Sequence, residues 1–271
     1  MGAIIAVSNW KGGTGKTTVA VNLGAALVEC GQRVLVVDCD PQADATDTLL
    51  GQREPDYNLY HLLRQQARLA DSRTAVPLRP EDLVQDTARL HLDLLPAGPE
   101  LAPADREFGG VLRQENLLQR ALGDLPQRYD VVLLDCPPSL GLLTHNALVA
   151  ARWVLIPVEA EHYSTKGMRM MIQTIQAVQE QANPDLAVLG VIVACYEGGK
   201  RGPVVFRQLR EQVGALFPDV LYEQAIPRAV AVVESQVLHQ TVVDYAPQSP
   251  VTLAYLGLAG EILARLEGAH G

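Results

Sequence analysis

AIIAVS at positions 3–8 runs directly into Asn9-Trp10-Lys11-Gly12-Gly13-Thr14-Gly15-Lys16-Thr17-Thr18, and the reading of this stretch decides the fold. The run from Ala3 to Ser8 is short, apolar and partly β-branched, the pattern of a buried strand. After the glycines, Val19, Leu23, Ala26 and Leu27 recur at helical spacing, and Gly31 stands where a helix-ending glycine belongs. A second apolar run, Val34 to Val37, leads into Asp38-Cys39-Asp40-Pro41. Strand, glycine-rich loop, helix, strand is a βαβ unit, and it requires a parallel sheet.

Further strands are expected at Leu90–Leu95, Val131–Leu134, Trp153–Val158, Leu186–Cys195 and Val220–Ala225. Helices are expected at Leu59–Ala70, Pro80–Asp86, Arg113–Leu122 and Val204–Leu216, with a final amphipathic one from Thr252 to Leu266. Met168, Met171, Ile172, Ile175 and Val178 share one helical face and read as core. With no repeat, low-complexity tract or linker, residues 1–271 read as one doubly wound α/β domain, a mostly parallel sheet flanked by helices. Its ligands belong at the carboxyl ends of the strands.

Composition narrows the classes. The chain is 48% hydrophobic and 20% charged, which excludes wholesale disorder. Four cysteines in 271 residues make no disulfide scaffold. No apolar run is long enough to span a membrane, and no export or acylation signal opens the sequence, so a cytoplasmic protein is expected. With 22 Lys and Arg against 31 Asp and Glu, the net charge is −9, so any polyanion must meet a local basic patch. Only four lysines occur, and two of them, Lys11 and Lys16, lie in the glycine-rich loop.

That loop departs from G-x-x-x-x-G-K-[ST], because Trp10 occupies the first glycine's place, but it keeps Gly15-Lys16-Thr17 between a strand and a helix. Small residues let successive N–H groups curl around phosphates, and the helix N-terminus adds positive charge. Lys16 reaches the β- and γ-phosphates in this reading, and the Thr17 hydroxyl joins a Mg²⁺ shell. Asp135 has the form of the strand-end carboxylate that holds Mg²⁺. Asp38 and Asp40, two apart, point the same way; one is expected near the metal and the other to orient the attacking water. ATP is expected over GTP, since the nearest approach to a guanine-reading Asn/Thr-Lys-x-Asp is Thr165-Lys166-Gly167-Met168. Scattered histidines and the lack of Cys-x-x-Cys argue against zinc or iron–sulfur chemistry.

The loop at 9–18 resembles the deviant Walker A motif of the ParA/MinD ATPases. Asp38-Cys39-Asp40-Pro41-Gln42 resembles their second motif, and YDVVLLDCPPSLGLL at 129–143 with Thr144-His145-Asn146-Ala147-Leu148 is similar to the chromosome- and plasmid-partitioning ParA (Soj-like) branch. Asn183-Pro184-Asp185-Leu186, Ile226-Pro227-Arg228 and Tyr245-Ala246-Pro247 extend the likeness over nearly the whole chain. The resemblance implies an ATP- and Mg²⁺-dependent homodimer that binds DNA without sequence preference, associates with the nucleoid, and leaves it when a ParB-type centromere-binding partner stimulates slow ATP hydrolysis. It further implies that Lys11 acts across the dimer, that Asp40 is needed for hydrolysis, and that the Pro227 loop lies against adenine. The nucleotide would touch Lys11, Gly12, Gly13, Thr14, Gly15, Lys16, Thr17 and Thr18. Lys200, Arg201, Arg207, Arg210 and Arg228 make up the expected DNA patch.

The chain departs from the pattern at Ala43-Asp44, where Gly-Asn is usual, at Ala229, where Asn is common, and at Gly199, which replaces an expected DNA-contacting arginine. Two other readings compete. A ParA-like positioner of a protein cluster fits the acidic charge. A MinD-like membrane-surface ATPase needs a basic amphipathic tail, whereas Gly257–Gly271 carries Glu261 and Glu267 against Arg265 alone, so no membrane partner is expected.

Overall fold

A computed structural model describes residues 2–51, 53, 55–68, 77–159, 165–196, 207, 211 and 220–269. β1 (Ala3–Val7) leads through the glycine loop into α1 (Lys16–Glu29) and then β2 (Val34–Asp38). The helices α2 (Asp44–Leu50), α3 (Leu59–Gln66) and α4 (Pro80–Leu83) carry the chain to β3 (Gln85–Asp86) and β4 (Leu92–Leu95). Next come α5 (Ala104–Phe108), α6 (Leu117–Leu122), β5 (Val131–Asp135), α7 (Leu142–Ala150), β6 (Trp153–Glu159), α8 (Thr165–Gln181) and β7 (Ala187–Ala194). Three described helices close the chain: α9 (Val230–Val237), α10 (Val242–Tyr245) and α11 (Pro250–Gly268).

The seven strands form one sheet in the order β3-β4-β2-β5-β1-β6-β7. All neighbours are parallel except β3 and β4. Every residue of β2 (VLVVD) and β5 (VVLLD) is buried, as expected of strands covered on both faces. Side chains alternate between two cores: Ala6, Leu35, Val37, Val132 and Leu134 face one layer, and Ile5, Val7, Val34, Val36 and Leu133 the other. Met168, Met171, Ile175 and Val178 sit in the first of these cores, as the methionine stripe predicts.

Register is what builds the site. Val7 pairs with Asp135, and Asp38 pairs with the same Asp135. The carboxyl ends of β1, β2 and β5 therefore finish level, side by side, at the place where the chain reverses its direction across the sheet. Three loops distant in sequence open at one point.

Several local expectations need correction. The helix begun at Pro80 stops at Leu83, and Gln85–Asp86 pairs antiparallel with β4. Leu59–Gln66 is helical, short of the expected Ala70, and residues 69–70 lie outside the described set. The expected Arg113–Leu122 helix is broken: Arg113 has φ +57, a 3-10 turn spans Gln114–Asn116, and helix resumes at Leu117. Val220–Ala225 is no strand; Leu221 makes a single parallel bridge to Val191. The expected Val204–Leu216 helix lies outside the described residues except for Arg207 and Glu211. No helix among the described residues is long and apolar enough to cross a membrane.

Candidate functional site

Gly13 and Gly15 both have φ +77, a left-handed conformation that a side chain would strain. Gly15 is the residue before the first turn of α1, and no side chain caps that turn. Its unpaired N–H groups are therefore left for a ligand. The loop is tied down at its base. Asn9 donates from Nδ2 to the Pro157 carbonyl (2.6 Å) and accepts the Lys11 N–H (3.2 Å). Trp10, in the place of the missing glycine, lies against Gly167, where a Cβ would stand 1.9 Å from the indole Nε1. Only glycine fits there.

Lys16 is 6% exposed, and its Nζ donates to the Lys11 carbonyl at 3.2 Å, an oxygen that also accepts from Thr14 Oγ1 at 3.3 Å. Burial lowers its pKa against the pull of Asp135, Cys136 and Asp40. The site therefore holds a partly desolvated cation already facing acidic groups. Lys11 points the other way: its Nζ lies 3.9 Å from Glu159 Oε2 at the end of β6, and it is about one-third exposed.

Asp135 is wholly buried, and among the described residues neither carboxylate oxygen has a hydrogen-bond partner. Burial raises its pKa well above the usual carboxylate range, Asp38 and Asp40 add to this, and Thr17 and Lys16 oppose it. An orphaned buried carboxylate beside a threonine hydroxyl and a lysine fits a bound cation, which would satisfy the unpaired oxygens. The residues present therefore suit Mg²⁺.

Asp38 is placed differently. Its Oδ1 accepts the Asp40 N–H (3.0 Å), and its Oδ2 accepts the Thr46 N–H (2.9 Å) and hydroxyl (2.7 Å). Burial pushes its pKa up to about 6 despite those bonds. Thr46 Oγ1 in turn accepts the Ala97 N–H at 2.9 Å. Both Asp38 oxygens are thus spent on fixing the Asp40 turn and α2, not held out toward a metal. Asp40 does line the cavity; its Oδ1 accepts the Gln42 N–H at 2.9 Å.

The cavity, about 480 Å³, opens over Gly13, Lys16, Thr17 and Thr18, with Asp40 and Asp44 opposite. A second pocket of about 200 Å³, walled by Val19, Ile226, Pro227 and Tyr255, continues from it. The two share Gly15, Thr18, Cys195 and Gln236. The Pro227 loop is pinned to the end of β7, for Ile226 N–H donates to Val193 O (2.8 Å) and Arg228 N–H to Tyr196 O (3.0 Å). A chamber over the glycine loop, lined in part by Lys16, Thr17, Thr18 and carboxylates, leading into a mostly apolar slot has the shape of a nucleotide site.

Of the expected DNA patch, Arg228 and Arg207 are exposed, and Lys200, Arg201 and Arg210 lie outside the described residues. Thr46, Asp44, Cys195 and Gln236 were not anticipated from sequence. Neither α2 nor α9, which supply three of them, shows a clear hydrophobic period.

Ala43 carries a testable cost. It has φ +56 at the residue before α2, a conformation that costs an L-residue about 1–2 kcal/mol. Glycine there relieves that strain and loses about 0.4–1 kcal/mol through the freer unfolded chain. Ala43→Gly should therefore raise the melting temperature, by up to about 6 °C, and a lower melting temperature would contradict the strain.

A family model described as "AAA domain" matches residues 2–188. Among curated proteins, the chromosome-partitioning ATPase Soj of Thermus thermophilus is 41% identical over 98% of this chain and 97% of that protein. The sporulation initiation inhibitor protein Soj of Bacillus subtilis is 38% identical over 97% and 99%, and the chromosome partitioning protein ParA of Caulobacter vibrioides is 35% identical over 97% and 94%. Among solved structures, a cobyrinic acid a,c-diamide synthase of Mycobacterium smegmatis with bound ADP and magnesium superposes with TM-score 0.80 at 31% identity, over 99% of this chain and 97% of that one. The cell division ATPase MinD of Pyrococcus furiosus gives 0.75 at 28%, over 97% and 99%.

Proposed function

Because this chain belongs to the Soj/ParA family of chromosome-partitioning ATPases, we propose that it is an ATP-driven partitioning switch whose nucleotide-bound dimer holds DNA and is released after hydrolysis. The observation that carries this reading is the level ending of β1, β2 and β5. It brings Lys16, Thr17 and Asp40 to the wall of one cavity, with the wholly buried Asp135 behind it, close enough for Lys16 and Thr17 to act on its carboxylate.

The roles divide by position. Lys16 and the N–H groups of the 12–17 loop bind the triphosphate. Thr17 and Asp135 hold Mg²⁺, which when bound supplies charge neutralisation at the phosphates. Asp40 orients the attacking water and accepts its proton. Asp38 keeps Asp40 in place through its N–H. Pro227 and Ile226 cover the base. Lys11, about one-third exposed and 3.9 Å from Glu159, would serve a nucleotide bound by a facing subunit. Surface pairs of this kind are worth about 0–1 kcal/mol, so a phosphate readily displaces one. A single domain spanning 1–271 carries these functions, and a ParB-type partner is the expected trigger of hydrolysis.

DNA binding is the boldest part of the reading for a chain of net charge −9. In a two-fold dimer Arg228 and Arg207 are each presented twice, which accounts for the proposed requirement for ATP. The test is retention on non-specific DNA with ATP across a salt series. Retention should fall steeply, with a slope near −0.9 per neutralised phosphate in log K against log salt, and Arg228→Glu should abolish it. One observation favours a protein cargo instead: Val230, Val233 and Val237, next to Arg228, are 72%, 61% and 72% exposed. Absence of DNA retention at low salt with ATP would overturn the DNA-binding reading and favour that alternative.

A further inference from the structure

We infer that Gln236 reads the ribose of the bound nucleotide, so that this side chain sets the preference for ribonucleotides over deoxyribonucleotides; the inference rests on the ATP reading above.

The placement follows from the two cavities. A nucleoside triphosphate has its phosphates at one end, its base at the other and its sugar between. With phosphates over Lys16 and Thr17 and base in the slot of Val19, Ile226 and Pro227, the sugar falls at the wall the two cavities share. That wall is Gly15, Thr18, Cys195 and Gln236. Gly15 offers no side chain. Cys195 is a weak hydrogen-bonding group, and burial raises its pKa and keeps it a neutral thiol. Thr18 and Gln236 supply the polar chemistry.

Gln236 suits a sugar. Ribose hydroxyls both donate and accept, and a primary amide offers both functions. Its Nε2 donates to Thr18 Oγ1 at 3.3 Å, which orients the amide and leaves its Oε1 and second N–H for a ligand. The support behind it is firm. Thr18 O accepts from Asn22 Nδ2 (2.8 Å) and Tyr255 O–H (3.4 Å). The chain beyond Gln236 is tied to α2, since His239 Nδ1 lies 3.0 Å from the Asp47 carbonyl. The base end is mostly apolar, walled by Val19, Ile226, Pro227, Ala229 and Val232 with Arg228 as its charged member, whose N–H is given to Tyr196.

The experiment is competition binding of ATP, 2′-deoxy-ATP and 3′-deoxy-ATP to the full chain and to Gln236→Leu. One neutral hydrogen bond corresponds to roughly a 3- to 10-fold preference, and the wild type should favour ATP over at least one deoxy analogue by that factor. In Gln236→Leu the ratio should fall to about one, through weaker ATP binding at unchanged deoxy-ATP binding. If Gln236→Leu binds no nucleotide, Gln236→Asn decides: the shortened amide should lose most of the preference. A variant with the wild-type ratio would overturn the inference, as would a wild type that binds all three equally, which leaves the ATP reading standing. A wild type that binds none of them would remove the ATP reading and this inference with it.

Discussion

Lys16→Ala is expected to weaken ATP binding by at least 100-fold while leaving the chain folded. The Lys16 ammonium is 6% exposed and makes its hydrogen bond to the carbonyl of Lys11, within its own loop. Among the described residues its hydrogen bond stays within the loop and ties down no strand or helix, so the variant should retain the sheet and its melting cooperativity. What it contributes is aimed at the ligand. A hydrogen bond to a charged group is worth about 1.5–3 kcal/mol, and a lysine that bridges two phosphate oxygens makes two, which together correspond to two or more orders of magnitude in affinity. The same substitution removes the cation that offsets Asp135 and Asp40, both of which act on it. The emptied cavity then presents carboxylates to a triphosphate. Titration calorimetry with a non-hydrolysable ATP analogue measures the effect directly. An affinity within about threefold of wild type would mean that the loop is not a phosphate cradle.

The central part of this site was readable in sequence because its determinants are local. Glycines at 13 and 15 are needed where φ reaches +77, and the apolar runs before Asp38 and Asp135 are long enough to be buried strands. What could not be read is whatever depends on register or on weakly patterned helices. That Val7, Asp38 and Asp135 end level is a property of pairing between β1, β2 and β5, and no single segment encodes it. The sequence of α2, DATDTLL, combines poor helix formers and shows too short an apolar face to declare itself. It is helical because Thr46 is bonded to Asp38 and Leu49 and Leu50 are buried. Two aspartates on one strand invite the same role, and only the hydrogen bonds separate them. Asp38 turns inward to Thr46, and Asp40 borders the cavity. Gln236 was invisible for a further reason: α9 carries valines all round, so its periodicity does not say which face meets the ligand.

Asp40→Ala should separate binding from hydrolysis. Among the carboxylates near the cradle, Asp38 has both oxygens engaged and Asp135 is wholly buried. Asp40 borders the cavity with one oxygen, Oδ1, fixed by the Gln42 N–H at 2.9 Å. The bond fixes the carboxyl group's orientation, and Oδ2 is left to accept a proton from water at the phosphate. Such a group acts in the transition state, and its loss typically costs about 10²–10⁴-fold in rate. ATP affinity should stay within about threefold, because the carboxylate repels the triphosphate and does not bind it. Asp40→Asn distinguishes chemistry from architecture: the amide oxygen can still accept from Gln42 N–H, so the turn keeps its shape, but the base is gone. Both variants should therefore show phosphate release reduced at least 100-fold, and both should accumulate an ATP-bound dimer. If Asn restores turnover where Ala does not, Asp40 is a structural post for the Gln42 turn. Wild-type rates in both would transfer the role to Asp44 or Asp47, the remaining carboxylates on the cavity wall.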